Sequence, residues 1–302
     1  MVRRSVVNEH QPSITEWFAA IGEVAASDEF RAEDNRKAER LEVLYQAIGL
    51  PYERPERFSA RELWDRAPTF EQVLKLRGDE LCAIRLVPRQ EGLPKLRNRG
   101  LTIRDCYELW FRQLAINPDE YDAYLCPHCD ALEWSAIFVV APEAVYGEII
   151  RGMAVQLTHG DTTSPLYQFR YDFRNWQWSS ADPVAARQVQ RMVDRLRVPD
   201  PALREHLAAN LPATFTHGYL AGYFETTVWP GEQLYFIDYN RVLPRYIPTP
   251  VPFTQGANAE LMGASAYAGV AQGPVVIVNE GNLGTVAFAV GAILVCDNTD
   301  VR

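Results

Sequence analysis

The sequence predicts an α+β fold: an N-terminal helical segment, a mixed body of strands and helices, and a short β-rich tail. Three observations carry this. Apolar residues recur at helical spacing through the first ~75 residues. From Leu81 onward the apolar period shortens to that of strands, with helices interposed. After the Pro-rich stretch RYIPTPVPFTQG (245–256) the composition shifts to Gly, Val and small residues.

Residues 13–27 (SITEWFAAIGEVAAS) place apolar side chains at helical spacing behind a Ser/Thr start. Residues 32–48 (AEDNRKAERLEVLYQAI) continue as helix until Gly49 and Pro51 stop it. Ser59, with Glu62 three residues on, is a capping-box pattern ahead of a short helix over 59–67. These elements make 1–79 a helical segment. The body, 80–245, opens with strand-like LCAIRLVP (81–88) and SAIFVVAP (135–142). VYGEIIRG (145–152) reads as the return strand of a hairpin with Pro142 in its turn, and LYQFRYDF (166–173) as a strand with alternating aromatics. Helices return at 183–197 and 201–210, each with Pro near its start. A hairpin over 224–242, turning at Pro230-Gly231, closes the body. Residues 246–260 read as a linker. The segment 261–302, with strands GPVVIV and GAILVC, reads as the start of a separate β-rich domain.

Composition narrows the function. The chain has 302 residues, 47% hydrophobic and 23% charged, with net charge −9 and pI near 5.2. That balance argues against a general nucleic-acid or membrane-surface binder, which would carry a basic excess. No apolar run is long enough to span a bilayer, and the first residues lack the apolar core of a secretory signal. Five Cys without an export signal imply reduced thiols and a cytoplasmic protein.

The chemistry concentrates in three places. In ETTVWPGEQLYFIDYNR (225–241), Asp238 and Asn240 stand at i and i+2 of one strand and so share a face. Glu225 can lie opposite them on the paired strand. Three oxygen donors of this kind suit Mg²⁺ held against nucleotide phosphates, though a solvated hairpin shows the same residues. In CAIRLVPRQEGLPKLRNRG (82–100), Arg85, Arg89, Lys95, Arg97 and Arg99 stand out from an acidic chain. Guanidinium forks and ammonium point charges suit a polyphosphate, so Arg85, Lys95, Arg97 and Arg99 are candidate phosphate ligands. Glu148 interrupts the apolar strand of VYGEIIRGMAVQLTHGD (145–161) and either lines a ligand or completes a plain hairpin. The Cys-x-x-Cys of CPHCD (126–130) lacks a second ligand pair for zinc and a helix start for redox work. His128 and Asp130 beside it are candidates to hydrogen-bond a ribose.

In this order the pieces resemble the phosphoenolpyruvate synthase / pyruvate phosphate dikinase family, which joins an ATP-grasp domain to a swivelling phosphohistidine domain. The resemblance lies in EWSAIFVVAPEAVYGEIIRGMAVQLTHGD, in the Glu225 strand with LYFIDYNR, and in LMGASAYAGVAQGPVVIV…GAILVCDNTD (261–300). It implies an ATP-grasp-like body followed by an incomplete swivelling domain, with ATP and Mg as cofactors and a phosphotransferase of kinase/dikinase type. The phosphoacceptor His of that family has no counterpart among the five His here. The resemblance therefore implies a fragment of a longer polypeptide, or a partner carrying the phosphohistidine, and nucleotide binding without full turnover. The Asp-x-Asn form of Asp238 and Asn240 resembles instead the acidic-x-Asn metal pair of ATP-grasp ligases. That leaves a carboxylate–amine ligase as the alternative, and an inactive interaction module as a third reading.

Overall fold

Two antiparallel sheets, joined by the loop 128–133, form the body in the computed structural model. The structure describes residues 22–90, 93–153, 156–157, 164–246, 272–278, 285–287 and 289–296. In chain order the α-helices of five or more residues among the described residues are α1 (Val24–Asn35), α2 (Lys37–Ile48), α3 (Ala60–Trp64), α4 (Pro68–Arg77), α5 (Pro183–Asp194) and α6 (Pro201–Asn210). The smaller sheet holds β1 (Glu56–Ser59), β2 (Leu81–Pro88), β3 (Leu96–Thr102) and β4 (Tyr121–Pro127) in the order β1-β4-β2-β3. The larger sheet holds β5 (Trp134–Val140), β6 (Val145–Arg151), β7 (Leu166–Tyr171), β8 (Trp176–Trp178), β9 (Thr214–Thr216), β10 (Tyr219–Trp229) and β11 (Gln233–Asn240). Its path is β11-β10-β5-β6-β7-β8, with β9 paired to β10.

The α+β class is as the sequence indicates, and the local signals act as physics requires. Gly49 ends α2 in the left-handed region at φ 65°, a conformation that costs glycine little. Ser59 and Glu62 form the reciprocal capping box. Asp182 accepts from the amides of Val184 and Ala185, with Pro183 at the first helical position of α5. Three points differ. The segment 1–79 is not helical throughout, because β1 pairs with β4. The helix expected over 32–48 breaks at Arg36, so α1 and α2 are separate. β4, which the sequence reading did not mark, is an interior strand of the smaller sheet, between β1 and β2. Residues 13–21 and most of 246–260 and 261–302 lie outside the described residues. Within the tail, β12 (Val275–Val278) pairs in parallel with β13 (Ile293–Cys296).

Each sheet packs one face against helices, and the larger sheet also buries Val139, Tyr146 and Tyr223 on its other face. The larger sheet packs Phe138, Phe169, Phe224, Phe236 and Tyr239 against Ala185, Val189, Met192 and Val193 of α5. The smaller packs Ile84, Leu86 and Leu125 against Leu63, Phe70, Leu74 and Phe111. The outer edge of β11 is closed rather than left as an open template. The Phe236 amide donates to the Pro51 carbonyl at 2.8 Å. Arg40 of α2 donates from Nε and Nη2 to the Tyr239 carbonyl at 3.1 and 2.9 Å.

Gly147 shows how tightly β5 and β6 meet. A Cβ there would lie 2.2 Å from the Ile137 carbonyl oxygen and 2.4 Å from Phe138 Cβ. Neither neighbour is the free end of a side chain. Gly147→Ala is therefore expected to cost about 3 kcal/mol or more, read as a lowered urea midpoint.

Candidate functional site

The β10–β11 register builds the site. Glu225 pairs with Asp238, and Tyr223 with Asn240, so all four side chains share the face away from α5. A bulge follows at once: Thr226 pairs with Phe236, leaving Ile237 as the extra residue. The bulge bends the strand beside the carboxylate pair. Glu225 and Asp238 thus converge as the sequence suggests. Asn240 sits one pair further on, and its Oδ1 accepts from the amides of Val242 and Leu243 at 2.9 and 2.8 Å, holding the turn after β11.

The carboxylate pair has a cation from elsewhere. Lys37 Nζ, at the head of α2, lies 3.1 Å from Asp238 Oδ2, with the two side chains only 21% and 13% exposed. Tyr223 donates its hydroxyl to Glu225 Oε1 at 2.7 Å. Burial raises the Glu225 pKa; the Lys37 charge opposes this and the Asp238 charge adds to it. Burial works against the Lys37 ammonium too, yet Asp238 and then Glu225 hold its pKa above the ordinary value. Asp238 Oδ1 is buried and has no hydrogen-bond partner. The polar face continues across the sheet, since Glu225 pairs with Ile137 and Ile137 with Glu148. Glu148 in turn accepts from Gln168 Nε2 at 3.0 Å.

The outer face of the smaller sheet is basic. Cross-strand pairing sets Arg57, Tyr124, Arg85 and Arg97 in one row, with Arg99 on the same face opposite Ala83. Arg57 lies over the Tyr124 ring at 5.6 Å. Like charges directly opposite, as at Arg85 and Arg97, destabilise a sheet unless an anion stands between them. Among the described residues Arg85, Arg97 and Arg99 have no ion pair. Lys95 differs, binding Asp34 Oδ2 at 3.0 Å, and Arg89 is tied to Asp122 at 2.7 Å. The charge of Arg85 acts on Asp34, Lys37 and Glu53, the first two at the junction of α1 and α2. Burial raises the Glu53 pKa, with Arg85 opposing.

His128 and Asp130 lie on the loop between the sheets, with Nε2 and Oδ1 2.8 Å apart. Cys126 is buried and Cys129 half-buried, both as free thiols. Among the described residues no group of three or more His, Cys, Asp and Glu is placed to hold a metal. An ion at Glu225 and Asp238 would take its remaining ligands from phosphate and water, the usual arrangement for Mg²⁺. The unpartnered Asp238 Oδ1 fits such an ion.

Asp34, Lys37, Glu53 and Tyr223 are members of the cluster that the sequence did not mark. Tyr223 was within reach, standing two residues before Glu225 on a strand. Lys37 was not, because nothing near α2 in the chain points to β11.

No protein-family profile and no curated protein matches the chain. Solved structures do. The macrocyclase MdnC bound with precursor peptide MdnA, from Microcystis aeruginosa MRC, is similar at 13% identity and TM-score 0.35, over 80% of this chain and 68% of that one. D-cycloserine synthetase DcsG is similar at 13% identity and TM-score 0.37, over 74% of this chain and 70% of that one. A Chryseobacterium gregarium RiPP-associated ATP-grasp ligase, in complex with ADP and a leader and core peptide, is similar at 12% identity and TM-score 0.35. There the match covers 78% of this chain and 64% of that one. These are a macrocyclase, a synthetase and a ligase, not phosphoenolpyruvate-utilising enzymes, and they overturn the resemblance to the dikinase family; none of them supports its swivelling phosphohistidine partner. The Asp-x-Asn strand already departs from that family in the same direction. No described helix is long and apolar enough to cross a membrane.

Proposed function

We propose that the chain binds Mg·ATP between its two sheets and acts as a carboxylate–amine ligase. One observation carries this: a half-buried carboxylate pair, Glu225 and Asp238, stands in register on one sheet with Lys37 against it, and the unpaired arginine row of the other sheet includes Arg85, whose charge acts on that Lys37. Glu225 and Asp238 would hold the ion, and Asn240 would fix the hairpin end behind them. An ion held by these two carboxylates would supply charge neutralisation to the nucleotide's phosphates. Arg85, Arg97 and Arg99 would neutralise the phosphates from the opposite side, and Tyr223 would hold Glu225 in its rotamer. Catalysis of this kind is mainly positioning and charge stabilisation.

The reaction is balanced in two steps. A substrate carboxylate oxygen attacks the γ-phosphorus and ADP leaves, giving an acyl phosphate. An amine then attacks the acyl carbon, phosphate leaves, and the amine gives up a proton. Two of the similar structures hold a precursor peptide or a leader and core peptide, so peptides and amino acids are the substrate class to test first. The test is ADP release from ATP with a panel of amino acids and short peptides. ADP that requires both a carboxylate and an amine is the expected result. AMP with phosphate, or no ATP turnover and no shift in melting temperature with Mg·ATP, would refute it.

A further inference from the structure

We propose that Lys37 is a resident cation of this site, holding the place between Asp238 and Glu225 that a divalent ion takes on loading, and then passing to a phosphate oxygen of the nucleotide. The inference rests on the metal–phosphate reading of the cleft and adds a binding residue to it.

The geometry is specific. α2 is fixed over the hairpin by Arg40, whose guanidinium holds the Tyr239 carbonyl one residue beyond Asp238. Lys37, three residues before Arg40, therefore has a fixed root, and its ammonium sits 3.1 Å from Asp238 Oδ2. After Asp238, the next acid acting on it is Glu225. One positive charge stands against two carboxylates, and Asp238 Oδ1 still lacks a partner. An ammonium neutralises this pair incompletely, whereas a divalent ion matches its charge.

The two cations cannot share the pair, because like charges at contact distance in a half-buried site repel strongly. A metal arriving alone would strand the ammonium beside Arg85, which already disfavours its charge. A polyphosphate removes that cost by accepting the displaced ammonium. Metal and nucleotide should then bind with positive coupling, and the coupling should reside in Lys37.

Mn²⁺ binding to the nucleotide-free chain, followed by electron paramagnetic resonance, tests this directly. Lys37→Met and Lys37→Gln are expected to tighten Mn²⁺ about tenfold or more, whereas Lys37→Arg, which keeps the charge, should not. Adding Asp238→Asn to either neutral variant should abolish the gain. With Mn²⁺ present, the neutral variants should bind ADP more weakly than the native chain does. On the native chain, excess Mn²⁺ should raise labelling of Lys37 by an amine-acylating reagent, read by peptide mass spectrometry. Equal or weaker Mn²⁺ affinity in the folded neutral variants, or unchanged Lys37 labelling, overturns the proposal. Tighter Mn²⁺ in a chain that binds no ADP would sustain the resident cation and sink the nucleotide reading; Mn·ADP binding with Mn²⁺ affinity indifferent to Lys37 would do the reverse.

Discussion

Asp238→Asn is expected to weaken Mg·ATP binding by roughly 2–4 kcal/mol, the scale for removing one charge from a partly buried charged contact. Calorimetry of native and variant chains with Mg·ATP measures it. Asparagine is the informative replacement because it keeps the shape and an acceptor oxygen for Lys37. Alanine would leave the ammonium without a partner in a site where that side chain is only 21% exposed. Lost folding would then be confounded with lost binding. Unchanged affinity in a folded Asp238→Asn chain would remove Asp238 from the site.

The largest effect on stability is expected at Glu33. Its side chain is 5% exposed and is held on three sides. Arg241 donates to it from Nε at 2.9 Å, from Nη2 at 2.7 Å and from its backbone amide at 2.9 Å. Arg40, itself 3% exposed, lies 3.4 Å away. Glu33→Ala would leave two guanidinium groups short of their counter-charge, one of them fully enclosed, at a cost of about 3–5 kcal/mol. Burial opposes the Glu33 charge, but the Arg241 hydrogen bonds and the Arg40 charge outweigh it and hold its pKa below the ordinary 4.5. A depressed carboxylate pKa stabilises the fold fully above the unfolded value and loses that contribution as pH falls through the folded value. Urea midpoints should therefore separate native chain and variant widely at neutral pH. The separation should narrow as the pH drops below about 4. A gap that stays constant down to pH ~2 would show that the Glu33 charge is not what stabilises the native chain.

Strands whose own residues alternate were legible in the sequence, and strands that depend on their neighbours were not. LCAIRLVP coincides with β2, and VYGEIIRG and LYQFRYDF contain β6 and β7. β1 escaped because ERFS is too short to announce a period; β4 escaped although Tyr121, Ala123 and Leu125 alternate inward, because the intervening Tyr124 and the following Cys126 are not polar enough to mark an outer face. They become strands by pairing with each other and by covering one side of an arginine-bearing sheet. The site divides in the same way. Glu225, Asp238 and Asn240 lie on one hairpin, where turn position and the two-residue period fix which side chains meet. Their cation comes from α2, and tertiary packing alone decides that Lys37 and not Lys95 reaches Asp238. The basic cluster was visible as composition, but its division into paired Lys95 and Arg89 and unpaired Arg85, Arg97 and Arg99 was not.

The clasp of α1 and α2 on β11 has a consequence during synthesis. Arg40 and its acceptor at Tyr239 are 199 residues apart, and Glu33 and Arg241 are 208 apart. A ribosome adding ~5–20 residues per second therefore leaves Glu33, Lys37 and Arg40 waiting many seconds for the hairpin that satisfies them. Helices made well before β11 are then among the last to dock, and nascent chains stopped short of 233 should leave α1 and α2 open to proteases.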